Sequence, residues 1–424
     1  MNIRKLAMEG IEKIIYKGAF SNIVIDDCFK KFEFSDSEKA LYTILVMGTI
    51  ERKLTLEFYL EPYLKKKQKP WLHSLLLMSV YQIVYMDVKD YYVVDEAVNI
   101  AKVYDTSIAS FTNAVLRNLL RNPLRDIEAL KKENEIKYLS IKYSTPAWLV
   151  AYLLKDYKID IVTRLIDFER KENFNTIRVN TLKSNNEEIE EFFNRFKIEY
   201  KKSDLVNNGY LVKGSVIDLP IFKDGKITVA DASSQRVSEI LNPKENSLVL
   251  DMCSAPGSKT CHMAAIMKNT GRIYACDIHE HKLKLMKKNF ERLGVTNVVL
   301  QGIDARLVRT KVRKESFDYC LIDMPCSGLG VISHKVDLKY NISLDKINEV
   351  IELQKQIIES SYDVVKKGGV ILLSTCTINK SENEEQVKLF MKNHPDLVKI
   401  YEETIMPYEH DSDGFFICKL EKRG

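Results

Sequence analysis

Apolar positions recur at helical spacing through the first 125 residues of the chain. "LHSLLLMSVYQIVYM" (72–86), "VVDEAVNIAKVY" (93–104) and "SIASFTNAVLRNLLRN" (107–122) each carry such a stripe, which predicts helices. The last of them sets Arg117 and Arg121 four apart on one face. Pro62, Pro70 and Pro123 fall between the periodic segments, where proline belongs. A charged stretch, 124–144, predicts a linking helix, and "TPAWLVAYLLKDY" (145–157) opens another with Pro146 in its first turn. The pattern then shortens. Residues 175–196 suit strand, turn and helix, and 210–220 and 226–231 add two strands.

From 231 the rhythm becomes strand, helix, strand. "SLVLDMC" (247–253), "RIYACDI" (272–278), "VVLQGID" (298–304), "DYCLIDMP" (318–325) and "GVILLSTC" (369–376) are near-continuous apolar runs, as strands of a sheet buried on both faces require. "LVKIY" (397–401) and "GFFICKL" (414–420) complete seven strands. The chain therefore divides into an all-α domain (1–125), a linker helix with a small α+β module (126–230) and an α/β domain (231–424).

Composition narrows the class. The 424 residues are 45% apolar and 29% charged, the balance of a globular protein in water. A net charge of +5 permits a nucleic-acid partner without demanding one. No apolar run reaches the length of a membrane span, and the amphipathic N-terminus lacks a signal core. The eight cysteines form no CxxC pair, which argues for a reducing cytoplasm and against a metal site.

The chemistry gathers at strand ends. The first α/β strand runs into "DMCSAPGSKT" (251–260), a turn that opens a helix without the spacing of a phosphate loop or dinucleotide fingerprint. Asp251, Asp277, Asp304 and Asp323 each close a strand, where open α/β sheets bind ligands. Four carboxylates there need donors or a cation. A ligand with ribose hydroxyls, an adenine amine and an ammonium supplies them, and S-adenosylmethionine has all three. Cys326, in "LIDMPCSGLG" (321–330), and Cys376, in "VILLSTCT" (370–377), lie at the same edge. A thiolate adding to C6 of a cytosine would make C5 nucleophilic, and position alone leaves either cysteine eligible. Cys253 lies in the turn, where packing is its expected role, and Cys276, Cys320 and Cys418 sit inside strands. Ser381 and Glu384 have the spacing of a capping box, and "DASSQRVSEIL" (231–241) suits a capped helix.

These motifs resemble the Sun/Fmu (RsmB) branch of the RNA cytosine-5 methyltransferases. "DMCSAPGSKT" is similar to that family's D-x-C-A-A-P-G-G-K-T, "DMPCSGLG" to its D-x-P-C-S-G-x-G, and "STCT…ENE" to its T-C motif. "RVNTLKS" and "DASSQ" match as well, while "DEAVNIAKVY" and "FTNAVLRNLLR" resemble the NusB antitermination factor. Ser254 and Ser258 depart from the family pattern, replacing an alanine and a glycine, and Ser258 would matter if its position needs a positive φ.

The resemblance implies a NusB-like RNA-binding domain, a small RNA-binding module and a Rossmann-like domain with a mixed seven-stranded sheet. It implies S-adenosylmethionine as cofactor and a cytidine of 16S rRNA as substrate. Cys376 would attack C6 and Cys326 would assist product release. Asp323 would contact the cytosine, with Lys259 nearby. The turn of Cys253, Ser254, Ala255, Pro256, Gly257, Ser258 and Lys259 would wrap the cofactor, Asp277 would hold its ribose and Asp304 its adenine. Arg117, Arg121, Arg178 and Asn180 are the candidate RNA contacts, and a monomer is expected. The alternative is a non-catalytic RNA-binding assembly factor with a vestigial methyltransferase domain. An amino-group methyltransferase fits poorly, because Met324 and Cys326 stand where its stacking aromatic motif would be.

Overall fold

The computed structural model describes residues 2–169 and 174–424. The chain forms two compact units, Met1–Asp167 with Ile332–Ile342, and Phe168–Val331 with Ser343–Gly424.

The first unit is helical, as its periodicity predicts. Helices Ile3–Lys17, Asp36–Glu51, Pro70–Tyr85, Asp90–Tyr104 and Thr106–Arg121 pack round a core that includes Leu45, Leu75, Leu76 and Leu116. A capping box between Ser35 and Glu38 starts the second of these. Gly48 lets that helix meet Pro70–Tyr85, since a Cβ there would lie 2.1 Å from the Tyr81 ring. Helices Glu135–Lys142, Ala147–Leu153 and Ile159–Asp167 also belong to this unit. So does 332–342, whose Val336 enters the helical core. Tyr340 donates to Ser144 O at 2.7 Å, and Lys339 Nζ to Glu51 O at 3.1 Å. The unit boundary thus lies some 40 residues beyond the compositional one at 125. Leu130, Tyr138 and Leu139 of the charged stretch are buried.

The second unit holds two sheets. Strands β1 (Phe174–Val179), β2 (Tyr200–Lys202), β3 (Gly209–Lys213) and β4 (Ile227–Val229) form an antiparallel sheet in the order β2-β3-β1-β4. Strands β5 (Leu248–Asp251), β6 (Arg272–Cys276), β7 (Val298–Gln301), β8 (Phe317–Asp323), β9 (Val365–Thr375), β10 (Leu397–Ile405) and β11 (Phe415–Lys422) form the expected seven-stranded sheet. Its order is β10-β11-β9-β8-β5-β6-β7, with β5 to β9 parallel and β11 antiparallel to both neighbours. From β5 the chain proceeds outward to β6 and β7, then returns to β8 on the other side. The switch point therefore lies between the ends of β5 and β8, where ligands bind such sheets. No helix among the described residues is long and apolar enough to cross a membrane.

Candidate active site

The carboxyl ends of β5 and β8 carry Asp251 and Asp323. Asp251 is buried, and its Oδ2 accepts from Thr260 Oγ1 at 2.7 Å. Its Oδ1 is buried with no hydrogen-bond partner. Burial pushes this carboxyl up to about 7, against the Thr260 bond, which lowers it. Asp323 accepts from Lys259 Nζ at 2.7 Å through one oxygen and from Ser374 Oγ at 2.8 Å through the other. Lys259 also lies over the Phe415 ring, 5.1 Å from its centroid.

The turn after β5 reaches its helix, Ser258–Ile266, through Gly257 at φ 97°. The positive φ thus falls on Gly257, and Ser258 lies inside the helix, so its departure from the family pattern costs no backbone strain. Ser254 is buried and donates through both N and Oγ to Cys276 O, at 2.9 and 2.8 Å, tying the turn to the end of β6. Burial pushes the Cys253 thiol up, consistent with a packing role. Asp277 accepts from His279 N at 2.7 Å, with Ile278 exposed beside it. Asp304 is occupied on both oxygens by Arg306, with contacts of 2.5 to 3.0 Å. That guanidinium holds it below the usual carboxylate range.

The cysteines meet because of strand register. Parallel pairing sets Asp323 opposite Ser374. Cys326 is three residues past the first and Cys376 two past the second, and their sulfurs lie 3.3 Å apart. Both are half-buried. Gly330 N donates to Cys376 O at 3.1 Å, and Gly414 N to Gly330 O at 2.8 Å. A Cβ on Gly330 would lie 2.0 Å from Gly414 O, so only glycine lets these loops approach. The Cys376 sulfur, then burial, pushes the Cys326 thiol well above its ordinary value.

Two sequence expectations need correction. Arg178 is 1% exposed, with Nη2 unpartnered, and burial lowers its guanidinium to about 10. Asn180 is buried and donates to Gly225 O and Leu293 O, each at 2.8 Å. Both side chains are turned into the protein, and neither is offered to RNA. Alternation along β1 carries no sign of this, because β1 buries both faces from Thr176 on. Arg117 and Arg121 are exposed on Thr106–Arg121. Arg117 borders a groove of about 570 Å³ with Tyr91, Lys102 and Asn113.

The capping-box expectation also changes. The helix after Cys376 starts at Glu384 with Asn383 at its N-cap and no side-chain cap bond, while Glu382 and Asn383 are buried. The helix from Ala232 is capped as expected, by Asp231 accepting from Ser233 N at 3.0 Å. Residues the sequence did not single out complete the site: Thr260, Ser374, Arg306 and Glu382. The last lies between Ser381 and Glu384, whose capping-box spacing drew attention to its neighbours instead.

Comparison with known proteins places these features. The family model for 16S rRNA methyltransferase RsmB/F matches residues 238–421, and that for the NusB family matches 1–121. A probable ribosomal RNA small subunit methyltransferase B of Bacillus subtilis is 35% identical over 100% of this chain and 99% of its own. The corresponding Synechocystis protein is 29% identical, with both chains covered in full. The crystal structure of PH0851 superposes at TM-score 0.83 with 26% identity, covering 100% of this chain and 99% of that one. A methyltransferase homologue from Pyrococcus horikoshii gives 0.60 at 27% identity, covering 68% and 99%.

Proposed function

The chain belongs to the RsmB/F family of 16S rRNA methyltransferases, and on that footing we propose that it methylates C5 of a cytidine in small-subunit rRNA through a covalent adduct on Cys376. S-adenosylmethionine is the cofactor, and it supplies the methyl group. The residues present fit it. Asp251 Oδ1, buried without a donor, suits the ammonium of its methionine part, and Asp277 at the end of β6 suits the ribose diol. Asp304 would meet the adenine amine by sharing an oxygen that Arg306 holds in this structure.

The observation that carries the proposal is the 3.3 Å approach of the two sulfurs at the β8–β9 lip. The likeness of "STCT" to the family's T-C motif assigns the attack to Cys376 and the later release step to Cys326. Cys376 Sγ bonds to C6, and the electron pair moves to C5, which takes the methyl group. A base then takes the C5 proton, the C5–H electron pair re-forms the C5–C6 double bond, and the Cys376 sulfur departs with the C6–S pair. Cys326 assists that last step. Asp323, steered by Lys259 and Ser374, hydrogen-bonds the ring. The target base leaves its stack to enter such a site. Arg117 and Arg121 supply phosphate contacts. The protein works as a monomer in the cytoplasm, on rRNA that is free or at an early stage of assembly.

Two variants test the roles. Cys376→Ala abolishes both methyl transfer and adduct. Cys326→Ala forms an adduct that does not resolve, visible as a slow protein–RNA band on a denaturing gel. The opposite pattern overturns the assignment. No methyl transfer by the wild-type protein to unmethylated small-subunit rRNA would favour the non-catalytic alternative.

A further inference from the structure

We propose that Glu382 is a positioning residue of the two-thiol site, tying the loop that carries Cys326 to the loop that carries Cys376. The inference rests on the thiol roles given above. Glu382 is 0% exposed, an expensive place for a carboxylate unless its oxygens are paired. They are paired across the two loops. Oε2 accepts from the backbone N of Ser327, the residue after Cys326, at 2.7 Å. Oε1 accepts from Asn379 Nδ2, three residues after Cys376, at 2.8 Å.

Further polar bonds follow the same course. Ser327 Oγ meets Thr377 Oγ1 at 2.8 Å. Thr375 Oγ1 donates to Asn383 Oδ1 at 2.6 Å, and Asn383 Nδ2 donates to Thr377 O at 2.9 Å. On the far side Gln354 Nε2 donates to Pro325 O at 2.9 Å, fixing the peptide before Cys326. A buried network of this kind favours one geometry, because each bond is directional and each broken one leaves an unpaired group. Strand register brings the loops to the same edge, and the network then sets where the two sulfurs stop.

A carboxylate is required rather than merely a side chain of that shape. Both of its contacts are donors, so both oxygens must accept. Glutamine has one acceptor, and its amide hydrogens would face either Ser327 N–H or the Asn379 amide. The carboxylate's charge also disfavours a second anion at Cys326.

The test uses the full-length protein with S-adenosylmethionine and unmethylated small-subunit rRNA. It compares Glu382→Gln and Thr377→Val with wild type and Cys326→Ala. Displacing Cys326 by about an ångström lowers kcat on the order of 100-fold. The expected result for Glu382→Gln is that loss, with KM for S-adenosylmethionine held within about twofold, and with adduct accumulating on a denaturing gel as it does for Cys326→Ala. Thr377→Val gives the same signature more weakly. A purely structural role would slow attack and release together and leave no adduct. A folded Glu382→Gln protein that turns over normally, or slows without trapping RNA, overturns the proposal. If Glu382→Gln fails to fold, Thr377→Val decides, and normal turnover without adduct overturns it. Absence of adduct from Cys326→Ala itself would overturn the thiol roles, and this proposal with them.

Discussion

The helical core and the lip of the seven-stranded sheet are both buried, but they are made of different material. Round Leu45, Leu75 and Leu116 the contacts are apolar and non-directional. At the lip, Thr375, Thr377, Asn379, Glu382 and Asn383 are each 0–1% exposed and hold one another by hydrogen bonds. Apolar packing fixes that a unit folds, and its strength scales with the area buried. A polar network fixes where particular atoms stand, and it fails when a single partner is lost. The first arrangement suits a scaffold and the second suits a pair of sulfurs 3.3 Å apart.

The sharpest way to break this contrast is Gly330→Ala. The new Cβ would meet Gly414 O and Cys376 O, both backbone atoms, so the cysteine loops must separate. Methyl transfer measured as an initial rate should fall roughly 100-fold, as for other ångström-scale misplacements. An unchanged rate would mean that the lip tolerates slack. Leu75→Ala is the counterpart in the helical core. It should cost about 2–5 kcal/mol in denaturant unfolding of that unit. Cofactor affinity in the other unit, followed by calorimetry, should stay the same.

Asp251→Asn comes next and depends on pH. The folded carboxyl sits near 7, raised by burial, against about 3.9 when unfolded. Between those values the folded state binds the extra proton, so the acid destabilises the fold increasingly as pH rises from about 4 to about 7, and the cost is constant above that. The variant should therefore melt higher than wild type at pH 8, with the gap narrowing towards pH 5. A gap independent of pH would show that Asp251 is not the titrating group. Cofactor binding should be lost with the carboxylate.

The smallest effects separate the surface arginine from the buried one. Arg117→Ala should leave stability within about 0.5 kcal/mol, weaken RNA binding and reduce its salt dependence by about one counterion. Arg178→Met should leave RNA binding and its salt dependence unaltered. Its stability should be equal or higher, because a buried cation with an unpartnered nitrogen gives way to an apolar chain of similar size. Weaker RNA binding by the Arg178 variant would return that residue to the interface.

Much of the fold was legible because periodicity reports one-sided burial directly. The helices of 1–121 and the strands of the α/β sheet appear where their patterns put them. The site was legible in outline, since Asp251, Asp323, Cys326 and Cys376 each end a strand run. The errors share a cause. Arg178, Asn180 and Glu382 are polar or charged, and local sequence assigns such residues to solvent by default. Arg178 lies on a strand buried on both faces, and Glu382 meets donors from a loop 55 residues away.

The sequence by itself determined which residues make helices and strands, that acids and thiols gather at strand ends, and which family the motifs resemble. Those properties follow from neighbours along the chain. Only the tertiary structure decided that β8 and β9 pair with Asp323 opposite Ser374, that Lys259 reaches Asp323, and that Glu382 spans the two cysteine loops. The physical reason is that hydrogen bonds between distant segments depend on register and on direction to within tenths of an ångström, and neither is encoded in the local alternation of apolar and polar side chains.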